Sequence, residues 1–540
     1  MSPRPTIPPT KREFAISALL LLVVVIAIQF HAEAFSTDLS AHPDEPAHAV
    51  TGLMLRDYIT GGFIETPHPM QFARNYYDHY PKVALGHYPP GFYLLEGLWL
   101  VPVRSITACV TLLTALATTW LLLTHVALRK AFPGINPYLL LVPTAAIPLV
   151  SMVGNSLVMV MSDLLLALCC LAATMAMAKF IEKPSAKWSL CFGFLAAAAG
   201  LTKASGLLLA LVPPLACVLS GQVRLLVSGK LWLAPVPVIL TVIPWILGTR
   251  HITQEGMQQT PILEFIPTAA QFYASALVAE LGPALLILAA LFTLATGLHW
   301  VRHKRAPDPN KSALISLAIA TVVFYSIIPA GLETRYLLPA APAIVSMAVG
   351  GAWLIQSKLK PPPIKVAVTA VVAGAAIAGF QALPEPVGSG FDTITDQILA
   401  DSTTPLTVLV SSDAVGEGAV IATAAFNLPP IQADNWKFLR STKTLSQSDW
   451  MGRDYESHVA GPEELASLLD SEGVSVLLED ESIPERLRLP HNKLIEQFLI
   501  EYVPATALKQ VPVVRTAHSD RQGEGAAVVA DLRKPTEKTK

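Results

Sequence analysis

The stretch from Lys11 to Pro46 reads KREFAISALLLLVVVIAIQFHAEAFSTDLSAHPDEP. Two cations, Lys11 and Arg12, lead into the uncharged run Phe14–Phe30. With its flanks that run approaches the roughly 20 apolar residues needed to cross a bilayer as a helix. An acidic pair, Asp44-Glu45, follows between two prolines. The run predicts a first membrane span, and the cations before it predict a cytoplasmic N-terminus. Ala32-Glu33-Ala34 also has the form of a signal-peptide cleavage site, and either reading leaves the next segment outside.

Ten further apolar runs follow: Ile106–Ala127, Pro137–Gly154, Val158–Ala178, Trp188–Leu201, Ser205–Leu219, Leu231–Gly248, Ala279–Leu298, Ser312–Pro329, Leu338–Ile355 and Ile364–Phe380, with Phe14–Phe30 the eleventh. The loops between them alternate. Arg129/Lys130, Lys179/Lys183/Lys187, Arg224/Lys230, Arg302/Lys304/Arg305/Lys311 and Lys358/Lys360/Lys365 fall on the side of the N-terminus. The opposite loops hold only Arg56, Arg74, Lys82, Arg250 and Arg335 among the main cations, as the positive-inside rule requires.

Composition supports that reading. Of 540 residues, 52% are hydrophobic and 14% charged, against about 25% charged in soluble proteins. The charge is uneven: 37 of the 155 residues from Pro386 onward are Asp, Glu, Lys or Arg, against 41 of the preceding 385. The expected organisation is therefore an α-helical multi-pass membrane domain over 1–385, with about 11 transmembrane helices, and a soluble extracytoplasmic α/β domain over 386–540. Within that tail, Leu406–Val410, Val474–Leu478, Val511–Arg515 and Ala526–Asp531 read as strands, and Pro462–Leu469 and Leu494–Tyr502 as helices. Gly416-x-Gly418 reads as a strand-to-helix turn. A net charge of −2 predicts no nucleic-acid partner. The five cysteines, Cys109, Cys169, Cys170, Cys191 and Cys217, sit in apolar stretches without metal-ligand spacing.

The first outer loop, about 31–99, is crowded with acids, histidines and aromatics. Val50, Leu53, Met54 and Tyr58 follow helical spacing, predicting an amphipathic helix at the interface. Asp44 at its start is a candidate general base, or a helix cap. Tyr88-Pro89-Pro90 closes the loop, either as part of a site or as an aromatic belt. Lys203, in Thr202-Lys203, is a cation where the charge rule disfavours one; it contacts an anion or snorkels to headgroups. Arg335 pairs with Glu333 or forks onto phosphate oxygens. Asp163 is an acid inside a span, a functional candidate or an internal pairing partner.

Together these motifs resemble the GT-C superfamily of membrane glycosyltransferases, near the protein O-mannosyltransferases and lipid A aminoarabinose transferases. The matching features are Asp44-Glu45 after the first span, Tyr88-Pro89-Pro90 ending the first outer loop, Thr202-Lys203 after a small-residue helix, and Arg335-Tyr336 with Pro339 late in the domain. The resemblance covers roughly residues 10–360. It departs at Gly86-His87-Tyr88, where the aminoarabinose transferases carry an acid. It implies transfer of a sugar from a polyprenyl-phosphate donor to a hydroxyl of a glycan, lipid or protein, on the extracytoplasmic side of a bacterial plasma membrane. Asp44 and Glu45 would be catalytic; Lys203, Arg335 and Tyr336 would hold the donor phosphate; His87, Tyr88 and Glu333 would line the substrate loop. No cofactor is implied, and a divalent metal is left open. The alternative is a transporter or flippase for a lipid-linked or small anionic substrate. Inverted repeats and several midplane charges would mark it; the sequence shows no repeat.

Overall fold

The computed structural model describes residues 10–303, 306–358, 383–401, 406–428, 436–449, 452–515 and 523–533. Helix α1 (Lys11–His31) starts at a capping box, in which Thr10 and Glu13 each accept the other's backbone N–H. After it come α2 (Glu45–Asp57) and α3 (Gly91–Trp99) in the first loop. The bundle continues with α4 (Ile106–Ala131), α5 (Asp163–Glu182), α6 (Ala186–Thr202), α7 (Ile262–His303), α8 (Pro309–Ile327) and α9 (Ala341–Lys358).

Among the described residues seven helices are long and apolar enough to cross a membrane, or eight if the bent pair Pro137–Leu149 and Ser151–Val158 is one span. Ala186–Thr202 and Ala204–Leu219 are shorter apolar helices. Ten of the eleven predicted runs thus fall on helices, and Ile364–Phe380 lies outside the described residues. The chain is a multi-pass membrane protein.

Three runs differ in detail from the expectation. The pair around Val150 bends by 72° because Val150 is extended (ψ 128°) and Pro148 offers no N–H to carry the ladder through. The run expected from Val158 starts only at Asp163; Met159 is extended, and residues 159–162 form a connector. Helix α7 is 42 residues long, with a break at Gly282, whose φ of 72° precedes Pro283. Proline disfavours the helical conformation in the residue before it, and glycine takes the left-handed alternative cheaply.

The tail is α/β as expected. Strands β1 (Thr407–Ser411), β2 (Lys437–Arg440), β3 (Val474–Asp480), β4 (Leu508–Arg515) and β5 (Gly523–Asp531) form a sheet in the order β2-β1-β3-β5-β4. The first three run parallel; β5 pairs antiparallel with both β3 and β4. Between β1 and β2 lies α10 (Ala414–Asn427), capped by Asp413, whose carboxylate accepts the N–H groups of Val415 and Gly416 at 3.1 Å each. Gly416-x-Gly418 is therefore the first turn of a helix.

The tail sits on the first loop. Asp38, fully buried, accepts the N–H groups of Ser389 (3.1 Å) and Phe391 (2.9 Å). Arg104 donates to the carbonyls of Ala425 (2.6 Å) and Phe426 (2.7 Å) at the C-terminal end of α10, where a cation also meets the helix dipole favourably. A Cβ on Gly418 of α10 would lie 2.7 Å from Pro46 of α2. This contact changes the reading of α2. Its pattern predicts a half-exposed interfacial helix, yet every residue from Glu45 to Met54 is buried, because α3 covers one side and the tail another.

Candidate functional site

Each candidate side chain reaches the site from the end of an element. Helices α5 and α6 form an antiparallel hairpin, which brings the first residue of α5, Asp163, beside the residue after α6, Lys203. Their charged groups meet at 2.8 Å. Lys203 is 8% exposed, so it pairs inside the protein and does not snorkel. Arg335 stands in the 3-10 turn Thr334–Ala340 that leads into α9. Its Nη2 lies 3.3 Å from Asp44 Oδ2, its Nη1 3.9 Å from Asp163 Oδ2, and its Nε 3.9 Å from Glu333 Oε2. The expected Glu333–Arg335 pair is present, but as the loose outer contact of a guanidinium shared by three carboxylates.

Asp44 is the meeting point. It makes no side-chain cap bond to α2. It accepts instead the Tyr88 hydroxyl at 3.1 Å, alongside Arg335, with His42 Nδ1 at 3.8 Å. Burial pushes its carboxyl up, but His42, Arg335 and the Tyr88 hydrogen bond outweigh burial and hold it well below the usual carboxylate range. Glu45 points away from Asp44. Its two oxygens accept Val160 N–H (2.8 Å) and Ala41 N–H (3.2 Å), tying the 159–162 connector to the head of α2. Burial raises Glu45 to about 8.

Tyr88 and Tyr336 present ring faces to the cations. Lys203 Nζ stands 4.5 Å from the Tyr336 centroid and 5.9 Å from that of Tyr88, and the Tyr336 ring stacks on Tyr325 at 4.9 Å. Such faces attract cations by their quadrupole. His48, one turn after Asp44, is packed among Tyr88, Tyr93 and Phe92, and burial lowers it to about 3.

Six of the eight predicted site residues, Asp44, Tyr88, Lys203, Glu333, Arg335 and Tyr336, thus gather around one centre, while the Glu45 carboxylate is turned from it to the Val160 and Ala41 N–H groups. His87 turns the other way, lining a cavity with Lys82, Glu255 and Arg440. The site also takes in His42 and His48, which sequence reasoning left among the general crowd of the loop. Their signal was the His-x-Asp and Asp-x-x-x-His spacing around Asp44, which places one before and one a turn after it. Asp163, read as a candidate, is the partner of Lys203. Among the described residues no group of three or more His, Cys, Asp or Glu is placed to hold a metal ion.

No protein-family model matches the chain, and no curated protein matches it. Solved structures do. ArnT from Cupriavidus metallidurans in the apo state aligns with a TM-score of 0.54 and 17% identity over 96% of both chains. The same protein bound to undecaprenyl phosphate aligns at 0.51 and 16%, over 96% of this chain and 97% of that one. The apo oligosaccharyltransferase of Archaeoglobus fulgidus aligns at 0.52 and 11%, over 87% of this chain and 70% of that one. The fold is GT-C. The alignment to ArnT spans nearly the whole chain, so the GT-C architecture here includes the α/β tail as well as the bundle.

Proposed function

We propose that the chain is a membrane glycosyltransferase that moves a sugar from a polyprenyl-phosphate donor to a hydroxyl on the extracytoplasmic side of a bacterial plasma membrane. The observation that carries this reading is the convergence of Asp44, Tyr88, Lys203 and Arg335, drawn from four distant segments, on one cluster at the ends of apolar helices. The neighbours add support: a GT-C fold, with ArnT solved bound to undecaprenyl phosphate.

In this reading the lipid phosphate is held by Lys203, a point charge, and by Arg335, whose planar fork fits two oxygens. Tyr336 backs Lys203 with its ring. The acceptor hydroxyl gives its proton to Asp44 as its oxygen bonds to the anomeric carbon. The carbon–oxygen bond to phosphate breaks, and the electron pair leaves with the polyprenyl phosphate. Cations fixed beside the leaving group stabilise that charge more in the transition state than before it. Arg335 links the two halves. A phosphate competes with Asp44 for the guanidinium, and Asp44 becomes a better base when it is released. Glu45 acts at one remove, by fixing the connector that leads to Asp163. Glu333 stays at the edge of the cluster beside Arg335, and His87, turned into the neighbouring cavity, has no part in this step.

The test incubates purified protein with a panel of undecaprenyl-phosphate sugars and an envelope-lipid extract as acceptor, and follows release of undecaprenyl phosphate. The wild-type protein releases it, and Asp44→Asn does so about 10²–10⁴-fold more slowly, the usual cost of losing a positioned base. Translocation of lipid without any cleavage would instead establish the transporter reading. An Asp44→Asn protein that turns over normally would remove Asp44 from the chemistry.

A further inference from the structure

Beside the Asp44 cluster lies a cavity of about 160 Å³ that the proposed chemistry does not use. Three separate parts of the chain wall it: Ala47 of α2 with Lys82 and His87 of the first loop, Glu255 from the loop before α7, and Arg440 and Lys443 of the tail. Ala47 lies within one turn of Asp44 on α2. His87 is the neighbour of Tyr88, whose hydroxyl bonds Asp44. The Asp44 charge reaches both Lys82 and His87 in the cavity wall, so a group bound here lies within electrostatic reach of the base.

The cavity gathers positive charge. Lys82 is 6% exposed, and its Nζ donates to the Ala414 carbonyl at 3.0 Å. Arg440 donates to Glu417 at 2.7 Å. Glu417 is fully buried and is also engaged by Ser441 and Thr442. Lys443 is exposed and donates to the Ser448 carbonyl at 2.7 Å. Against these three cations the cavity wall carries one carboxylate, Glu255. The crowding shows in the titration of both lysines. Burial and the Arg440 charge push Lys82 down to about 7, against the opposing pull of Glu417, Asp44 and Asp413. Partial desolvation at the cavity wall and Arg440 also lower Lys443, although its surface is exposed, against Glu417, Glu255 and Asp449. An anion in the cavity relieves that repulsion and moves both lysines back up toward their ordinary range.

We infer that this cavity binds an anionic group, phosphate or carboxylate, which the acceptor carries close to its reacting hydroxyl. The tail then has a direct part in substrate selection, because it supplies Arg440 and Lys443. The inference rests on the acceptor reading above, but its test does not depend on turnover.

Full-length protein in detergent is titrated with inorganic phosphate and, separately, with acetate. Undecaprenyl phosphate is present at saturation, so that the Lys203–Arg335 site is occupied. The expected result is binding of at least one anion by the wild-type protein; the tighter of the two names the group. Lys443→Glu, at an exposed position, weakens that binding tenfold or more with unchanged thermal stability, and Lys443→Arg retains it. If the wild-type protein binds neither anion, or if Lys443→Glu binds as tightly as wild type, the inference is overturned. A protein that fails to take up undecaprenyl phosphate refutes the donor site instead, while anion binding abolished by Lys443→Glu still supports this one.

Discussion

Tyr88 is one of the groups that set how basic Asp44 is, after His42, Arg335 and His48. Its hydroxyl stabilises the carboxylate, so Tyr88→Phe removes a contribution that lowers the Asp44 carboxyl, leaving burial less opposed. The acid limb of the pH–rate profile is expected to move to higher pH in Tyr88→Phe, with the alkaline limb in place; an unmoved acid limb would detach Tyr88 from the base. The stability sign agrees. A carboxyl lowered by folding stabilises the protein above its unfolded value, and that stabilisation fades as pH falls toward the folded one. Glu45 has the opposite sign. Its folded value of about 8 lies above the ordinary carboxyl range, so the unfolded chain binds fewer protons between about 4.5 and 8, and stability falls as pH rises through that window. Glu45→Ala is expected to flatten that slope in thermal-melt series across pH. It also strands two buried N–H groups, of Val160 and Ala41, at about 1–3 kcal/mol each. These side chains differ in how well the sequence announces them. Lys203, Asp163 and Arg335 stand out because a charge between apolar runs demands a partner or a function. His42 and His48 do not, because a histidine in a polar loop looks like any other until the fold sets it against Asp44.

At the scale of elements, the Pro89-Pro90-Gly91 step is a joint between two motifs. The prolines deliver the chain into the start of α3, and Gly91 sits against the end of α6. A Cβ there would stand 2.8 Å from the Leu201 carbonyl oxygen and 3.1 Å from the Thr202 nitrogen, both backbone atoms that cannot rotate away. Gly91→Ala is therefore expected to push the Thr202-Lys203 turn off the Tyr88 ring and to reduce turnover, while membrane insertion and yield stay near normal. Turnover equal to wild type would show that the turn tolerates the shift. The sequence made the elements legible where one segment decided them: apolar length fixed the helices, and alternation bounded by turn residues fixed most of the tail's strands. It misled where a second segment intervened. The surroundings of α2 depend on Gly418 and its neighbours in α10, hundreds of residues away, and no local pattern in Pro46–Tyr58 records that cover. The break at 159–162 likewise depends on Glu45 claiming the Val160 N–H, where an apolar run alone reads as continuous helix.

Across the whole molecule, the tail is anchored to the first loop by polar contacts that span the chain: Asp38 to Ser389 and Phe391, Arg104 to the end of α10, Lys82 to Ala414, and His79 to the Trp436 carbonyl at 2.8 Å. Loop and tail must therefore lie on the same side of the membrane. By the positive-inside rule the cations of the loops between spans lead us to propose that this side is opposite the N-terminus, and outside. A single labelling experiment tests both steps. Ser467 is exposed on the tail helix Pro462–Ser471, far from the Asp44 cluster in sequence, whereas four of the five native cysteines are buried and Cys191 is partly so. Ser467→Cys on intact cells is expected to react with a membrane-impermeant maleimide before lysis, and a cysteine placed at Glu65, exposed in the first loop, to react alongside it. Reaction of both only after lysis would reverse the orientation of the bundle. Reaction of Glu65→Cys alone would separate loop from tail, and with them the cavity that both are proposed to build.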